Sequence, residues 1–125
     1  MENSPESAPA PLAEEGLWGE ISGVPPLPSA PPIRGAFRTD PRARAAYSEG
    51  AGIYRIIPQG VARPEDVGDL TRLVRWAYET GTPLIPRAAG SAMGGGSVGS
   101  GVIVDLTRIG PDDVRVDPDT RTAHT

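Results

Sequence analysis

Neither cysteine nor lysine occurs among the 125 residues. The first absence excludes disulfides, thiolate metal sites and cysteine nucleophiles. The second excludes a Walker-type phosphate loop, which needs Gly-Lys-Ser/Thr after its glycines, and any other mechanism that depends on lysine. All twelve basic residues are arginine, and the single histidine, His124, stands beside the last residue, without metal-ligating neighbours. It reads as a solvated or strand histidine. Apolar runs extend only a few residues, too short to span a membrane. The acidic, proline-rich start lacks the basic and apolar regions of a signal peptide. These features predict a soluble, cytoplasmic protein. A strong excess of either charge sign is also missing from most of the chain: the net charge is −4, but five glutamates fall in the first 34 residues. Acids and arginines nearly balance thereafter, so no nucleic-acid footprint is expected.

What is present divides into two textures. Eight of the fifteen prolines lie in the first 34 residues, which contain no basic residue before Arg34. Such composition favours extended, solvated backbone. It predicts a flexible tail over 1–33 and a folded unit over 34–125. Leu17, Trp18 and Ile21 form a small candidate docking motif within that tail. Asp40-Pro41 is a helix opening for 42–48, and Ile56-Ile57 suggests a short strand within 54–61 that Pro58 limits. Pro64-Glu65-Asp66 opens the strongest helix, over 64–80. Its apolar face is Val67, Leu70, Leu73, Val74, Ala77 and Tyr78, and Gly81 ends it. Leu84-Ile85-Pro86 reads as a short strand, and Val102 to Leu106 as a buried, parallel-type strand. Val114 to Asp117 and Thr122 to His124 read as a hairpin about Asp117-Pro118-Asp119. The order predicts an α/β fold with a small, mostly parallel sheet, flanking helices and a right-handed crossover through the long helix. Asp112-Asp113 and Asp117-Asp119 lack the spacing of a calcium loop and read as turn residues.

Between the two apolar strands, Gly90, Gly94, Gly95, Gly96, Gly99 and Gly101 share a twelve-residue window. Glycine at this density serves positive φ or the close approach of a ligand to main chain. Successive amides in such a turn can form an anion-binding nest. Gly94 to Gly99 does satisfy G-x-G-x-x-G, but that fingerprint must open a helix, and here a strand follows directly. The match is accidental.

The segment Pro86-Arg87-Ala88-Ala89-Gly90-Ser91-Ala92-Met93-Gly94-Gly95 resembles the pyrophosphate loop of the PCMH-type FAD-binding domain, which is found in the vanillyl-alcohol-oxidase and p-cresol-methylhydroxylase flavoproteins. That loop typically reads Pro-Arg-Gly-Gly-Gly-Thr-Ser-Leu-Ala-Gly. Tyr47, the 54–64 stretch, the long helix, Gly81-Thr82-Pro83 and Val104-Asp105-Leu106 follow the family's order. The resemblance spans 38–125 and extends to D-lactate-dehydrogenase and glycolate-oxidase relatives, some of which carry an iron–sulfur domain.

The resemblance implies an FAD-dependent oxidoreductase that oxidises a 2-hydroxy acid or alcohol by hydride transfer. Arg87, Ala88, Ala89, Gly90, Ser91, Ala92, Met93, Gly94 and Gly95 would be its cofactor-binding residues. The amides of 88–92 would donate to the pyrophosphate, and Gly90 and Gly95 would permit close approach. Arg87 would either add charge or pair with an acid such as Asp105. Ser91 occupies the position where some relatives carry a flavin-linking histidine, so FAD is expected to be non-covalent at this loop. Ala88 and Ala89 replace glycines, which costs about 1–2 kcal/mol only if their backbone needs positive φ. The family domain is about twice this length, so the chain is expected to be its N-terminal part. Substrate would be bound by a C-terminal domain outside the chain, and the chain is not expected to catalyse alone. The alternative is a non-catalytic fragment or anion-binding module completed by a partner chain.

Overall fold

The computed structural model describes residues 26–110 and 114–124. In chain order they form β1 (Ala36–Arg38), α1 (Pro41–Ala46), β2 (Gly60–Arg63), α2 (Val67–Thr80), β3 (Leu84–Arg87), β4 (Val102–Asp105), β5 (Arg115–Asp117) and β6 (Thr122–His124). The first four strands make one sheet in the order β1-β2-β4-β3. β2 and β3 each run parallel to β4, and β1 is antiparallel to β2. The predicted α/β class with a mostly parallel sheet is borne out. All four residues of β4 are buried, as a continuous β-branched run at the centre of a sheet requires. Ala62, Val102 and Val104 meet Leu73, Trp76 and Ala77 of α2 in the core.

The strand predicted within 54–61 lies later. Ile56 and Ile57 are exposed, and pairing starts at Gly60. Pro58 has no amide to donate; its carbonyl instead accepts from Arg44 Nε at 2.6 Å, and the next amide, of Gln59, bonds to Gly101 O at 2.9 Å. Only beyond that point can the chain enter the ladder beside β4. β1, three residues long, carries too short a pattern to be read from sequence.

The helix α1 opens as expected on Asp40, whose Oδ1 accepts from Ala43 N at 3.1 Å, but it ends at Ala46, with Tyr47 as its cap. For α2, Asp66 is the cap rather than a helical residue, accepting from Asp69 N at 2.8 Å. Gly81 closes the helix at φ 67°, the left-handed stop that its position predicts. The buried face is Asp69, Leu73, Trp76 and Ala77. Val67, Val74 and Tyr78, placed in the core by periodicity, are 66%, 52% and 88% exposed. Trp76 turns the helix this way: its ring meets Phe37 edge-on, with centroids 6.3 Å apart. The part of the predicted tail within the described residues also contributes. Leu27 and Ile33 pack against the core, Pro31 is buried, and Ser29 Oγ accepts from Trp76 Nε1 at 3.4 Å. Packed chain therefore begins before residue 34. Leu17, Trp18 and Ile21 lie outside the described residues.

Asp69 joins this N-terminal segment to α2. Its fully buried carboxylate accepts from the amides of Arg34 at 2.9 Å, Gly35 at 2.8 Å and Glu65 at 3.0 Å, and from Arg72 Nη2 at 2.5 Å. The Arg34 amide leads these bonds in holding its pKa well below the usual carboxylate range, against the opposing effect of burial. A depressed folded-state pKa stabilises the fold above the unfolded value, near about 3.9, and that stability is lost as pH falls below it. Urea midpoints measured from pH 7 to pH 2 are therefore expected to fall on the acid side. The fall should be less steep in Asp69→Asn, which starts from a lower midpoint at neutral pH. Equal slopes would contradict this role.

The predicted hairpin forms as β5–β6, and it pairs Arg115 with His124 and Asp117 with Thr122. Asp117 Oδ1 accepts from the amides of Asp119 at 2.9 Å and Thr120 at 3.2 Å, so it is a turn residue. Asp112-Asp113 lie outside the described residues. No described helix is long and apolar enough to cross a membrane.

Candidate functional site

The parallel strands β2, β3 and β4 end together in Arg63, Arg87 and Asp105. Ligands of open α/β sheets bind at such carboxyl ends. From this end β3 runs into the glycine turn, which returns to the sheet at Val102. The turn is irregular, not helical, which removes the helix that the G-x-G-x-x-G fingerprint needs.

Two of its glycines adopt left-handed backbone, Gly90 at φ 75° and Gly95 at φ 83°. Both also leave no room for a side chain. A Cβ on Gly90 would stand 2.7 Å from Arg87 Nη2, and one on Gly95 would stand 2.8 Å from the Tyr54 ring. Ala88 and Ala89 are absent from the positive-φ positions, so alanine there is unstrained and keeps its amide. Ala88, Ala89 and Ser91 to Gly94 are exposed. Among the described residues, the main-chain amides from Ala88 to Gly94 donate no main-chain hydrogen bond, and Gly95 closes a turn on Ala92. The turn thus presents a run of accessible N–H groups, the donor set that a diphosphate accepts.

Arg87 does not pair with Asp105. Its Nη1 donates to three carbonyls, of Glu49 at 2.7 Å and of Tyr47 and Ser97 at 3.4 Å, while its guanidinium lies 5.3 Å from the Tyr47 ring centroid. The guanidinium braces the turn through these carbonyls. Asp105 has other partners. It accepts from Tyr47 Oη at 2.5 Å and from Thr107 N and Oγ1 at 2.9 and 2.6 Å. Arg63 Nε lies 3.2 Å away, close enough to pair charges but not aligned as a hydrogen bond. Burial opposes ionisation of Asp105, but Thr107, Tyr47 and Arg63 together outweigh it and lower its pKa. Burial, then Asp105, raises that of Tyr47.

An open pocket of about 300 Å³ lies to one side, lined by Arg34, Gly35, Ala36, Arg63, Glu65 and Arg108. No residue of the glycine turn lines it. Arg34 and Arg63 already face Asp66 and Asp105, so much of its charge is matched within the protein. Among the described residues, no cluster of His, Asp and Glu could bind a metal ion.

Residues 58–125, more than half of the chain, match the family model described as FAD binding domain. The chain belongs to the FAD binding domain family. The resemblance to the PCMH-type FAD-binding domain is thereby borne out, and the matched span contains the glycine turn and the three parallel strands. Among solved structures, the chain is similar to 6-hydroxy-D-nicotine oxidase from Arthrobacter nicotinovorans, with a TM-score of 0.59 and 23% identity, over 73% of this chain and 20% of that one. It is also similar to alkyldihydroxyacetonephosphate synthase, with a TM-score of 0.55 and 22% identity, over 70% of this chain and 19% of that one. At these identities the likeness is one of fold. The chain spans about a fifth of the length of these two structures. No curated protein matches it in sequence.

The structure brings the nine predicted site residues, Arg87 to Gly95, into one turn, with Arg87 facing inward and most of the others outward. Sequence reasoning missed the loop from Ser48 to Tyr54 that lies against this turn. Its glycines, Gly50 and Gly52, were the available signal.

Proposed function

We propose that this member of the FAD binding domain family binds FAD without a covalent bond, through the main-chain amides of residues 88–95. It would form the diphosphate-holding part of an FAD-dependent oxidoreductase acting on a 2-hydroxy acid or another alcohol. Bound FAD supplies the hydride acceptor; the protein supplies binding, orientation and electrostatics. The run of exposed amides without main-chain acceptors, shaped by left-handed Gly90 and Gly95, carries this reading. Each amide would donate a charge-assisted hydrogen bond to a diphosphate oxygen. The half-buried Arg87 guanidinium beside the turn favours an anion there, and Ser91 offers no imidazole to link the flavin. The substrate class rests on the resemblance alone, and substrate would be bound by chain beyond these residues.

Purified protein, or apoprotein titrated with FAD, tests the proposal. We expect visible flavin absorbance to stay with the protein through gel filtration, and acid denaturation to release all of it as free FAD. Protein that refuses FAD but takes up inorganic diphosphate would favour a plain anion-binding module. Flavin that stays attached after denaturation would overturn the non-covalent assignment.

A further inference from the structure

We infer that the loop 48–54 sets the direction of the peptide groups in the glycine turn, with Gly52 as its positioning residue, and that this aims the Ser91 and Gly94 amides at the ligand. The inference rests on the reading of the turn as a diphosphate site.

The loop is closed on itself before it meets the turn. Ile56 N donates to Ser48 O at 2.9 Å, Glu49 and Arg55 form an antiparallel bridge, and their side chains pair at 3.4 Å. It then touches the turn at successive points. Ala51 N donates to Gly90 O at 2.9 Å. A Cβ on Gly50 would stand 2.9 Å from both Gly90 O and Ser97 Oγ. A Cβ on Gly52 would stand 2.4 Å from Met93 O, and the Tyr54 ring covers Gly95. Arg87 ties the two segments together from beneath, through the carbonyls of Tyr47, Glu49 and Ser97.

The contacts fall on the carbonyls of the turn. In a trans peptide the C=O of one residue and the N–H of the next point in opposite directions. No described peptide bond is cis. With Gly90 O drawn toward Ala51, the Ser91 N–H faces away from the loop. With Met93 O against Gly52, the Gly94 N–H does the same. The loop thus orders the donors by occupying their carbonyl side, and it does so only because residue 52 has no side chain. Preorganised donors bind an anion without the ordering cost that a mobile turn would bear.

The test compares the wild-type chain with Gly52→Val. Both are titrated with FAD and with ADP, which shares the diphosphate and adenosine but lacks the flavin, and backbone order parameters are measured by NMR. In the wild type, ADP is expected to shift the Ser91 and Gly94 amide resonances most among residues 88–96. In Gly52→Val, Kd for FAD and ADP is expected to rise by the same factor, about tenfold or more, as a shift of about 1.4 kcal/mol implies. Order parameters over 88–94 should fall, with little change in the thermal midpoint. Should Gly52→Val fail to fold, Gly52→Ala and Tyr54→Ala make the same comparison. Unchanged affinity and order parameters in the variants would overturn the inference, as would ADP shifts that spare Ser91 and Gly94. If the wild type binds neither nucleotide, the diphosphate reading fails, and lower order parameters in the variant still decide whether the loop orders the turn.

Discussion

A Gly90→Val chain is expected to lose FAD retention while its far-ultraviolet circular dichroism stays close to that of the wild type. Gly90 is left-handed, at φ 75°, where an L side chain costs about 1–2 kcal/mol and a β-branched one more. Its Cβ would also fall 2.7–3.0 Å from three atoms of the Arg87 guanidinium, which is itself tied to three carbonyls. Overpacking of this kind costs about 1–3 kcal/mol. The turn would absorb the strain, because it is irregular and its amides from Ala88 to Gly94 donate no main-chain hydrogen bond. If binding must restore the native turn, about 2–5 kcal/mol appears as lost affinity, roughly thirtyfold to several thousandfold. Gly110→Ala is the control. Gly110 lies outside the turn and is not left-handed, and a Cβ there meets nothing within 4 Å. It should retain FAD. Equal retention by Gly90→Val and Gly110→Ala would refute the account of the turn.

Asp105→Ala is expected to be strongly destabilising, because it strips partners from three segments at once. Tyr47 Oη, Thr107 N and Thr107 Oγ1 lose their hydrogen bonds, and half-exposed Arg63 loses its counter-charge. Leaving buried donors unpaired costs about 1–3 kcal/mol each at most, and solvent screening around Arg63 reduces its share. A total of about 2–4 kcal/mol is expected, against the 5–15 kcal/mol that holds a typical domain together. For a domain of this size that lowers the thermal midpoint by roughly 10–30 °C. Asp105→Asn, which keeps acceptor oxygen, should lose less. The phenol gives a second readout. The raised pKa of Tyr47 means that its contribution is full below the ordinary tyrosine value, near about 10, and is lost as pH rises above it. In a variant that still folds, tyrosinate absorbance should develop at lower pH than in the wild type. A midpoint within a few degrees of wild type would show that Asp105 is not the hub.

Much of this was legible in the residues themselves. The run Val102-Ile103-Val104 has no polar face to show solvent, so it belongs at the centre of a sheet, and there it lies, buried on both sides. Gly81 and Asp117 take the positions that their backbone freedom and short carboxylate make favourable. The glycine turn was marked by its density of glycine between two strands, and by the Pro-Arg start of its sequence. All these are local signals, in which propensity within a few residues decides the outcome.

Where the outcome depended on residues far apart in sequence, local pattern was insufficient. Periodicity along α2 allowed a broad apolar arc, and the contacts of Trp76 with Phe37 and Ser29 selected the part that faces inward, leaving Val74 and Tyr78 in solvent. Asp69 and Asp105 resemble ordinary surface carboxylates until partners from other elements, up to 58 residues away, are brought to them. Arg87 was free, on sequence grounds, to meet ligand or acid; the fold instead places three backbone carbonyls within its reach. The sequence by itself determined which stretches become strand, helix and glycine turn, because those choices follow from side-chain shape and backbone freedom. Tertiary structure alone decided which way the turn's peptides face, because that direction is set by a second loop, Ser48 to Tyr54, packed against their carbonyls.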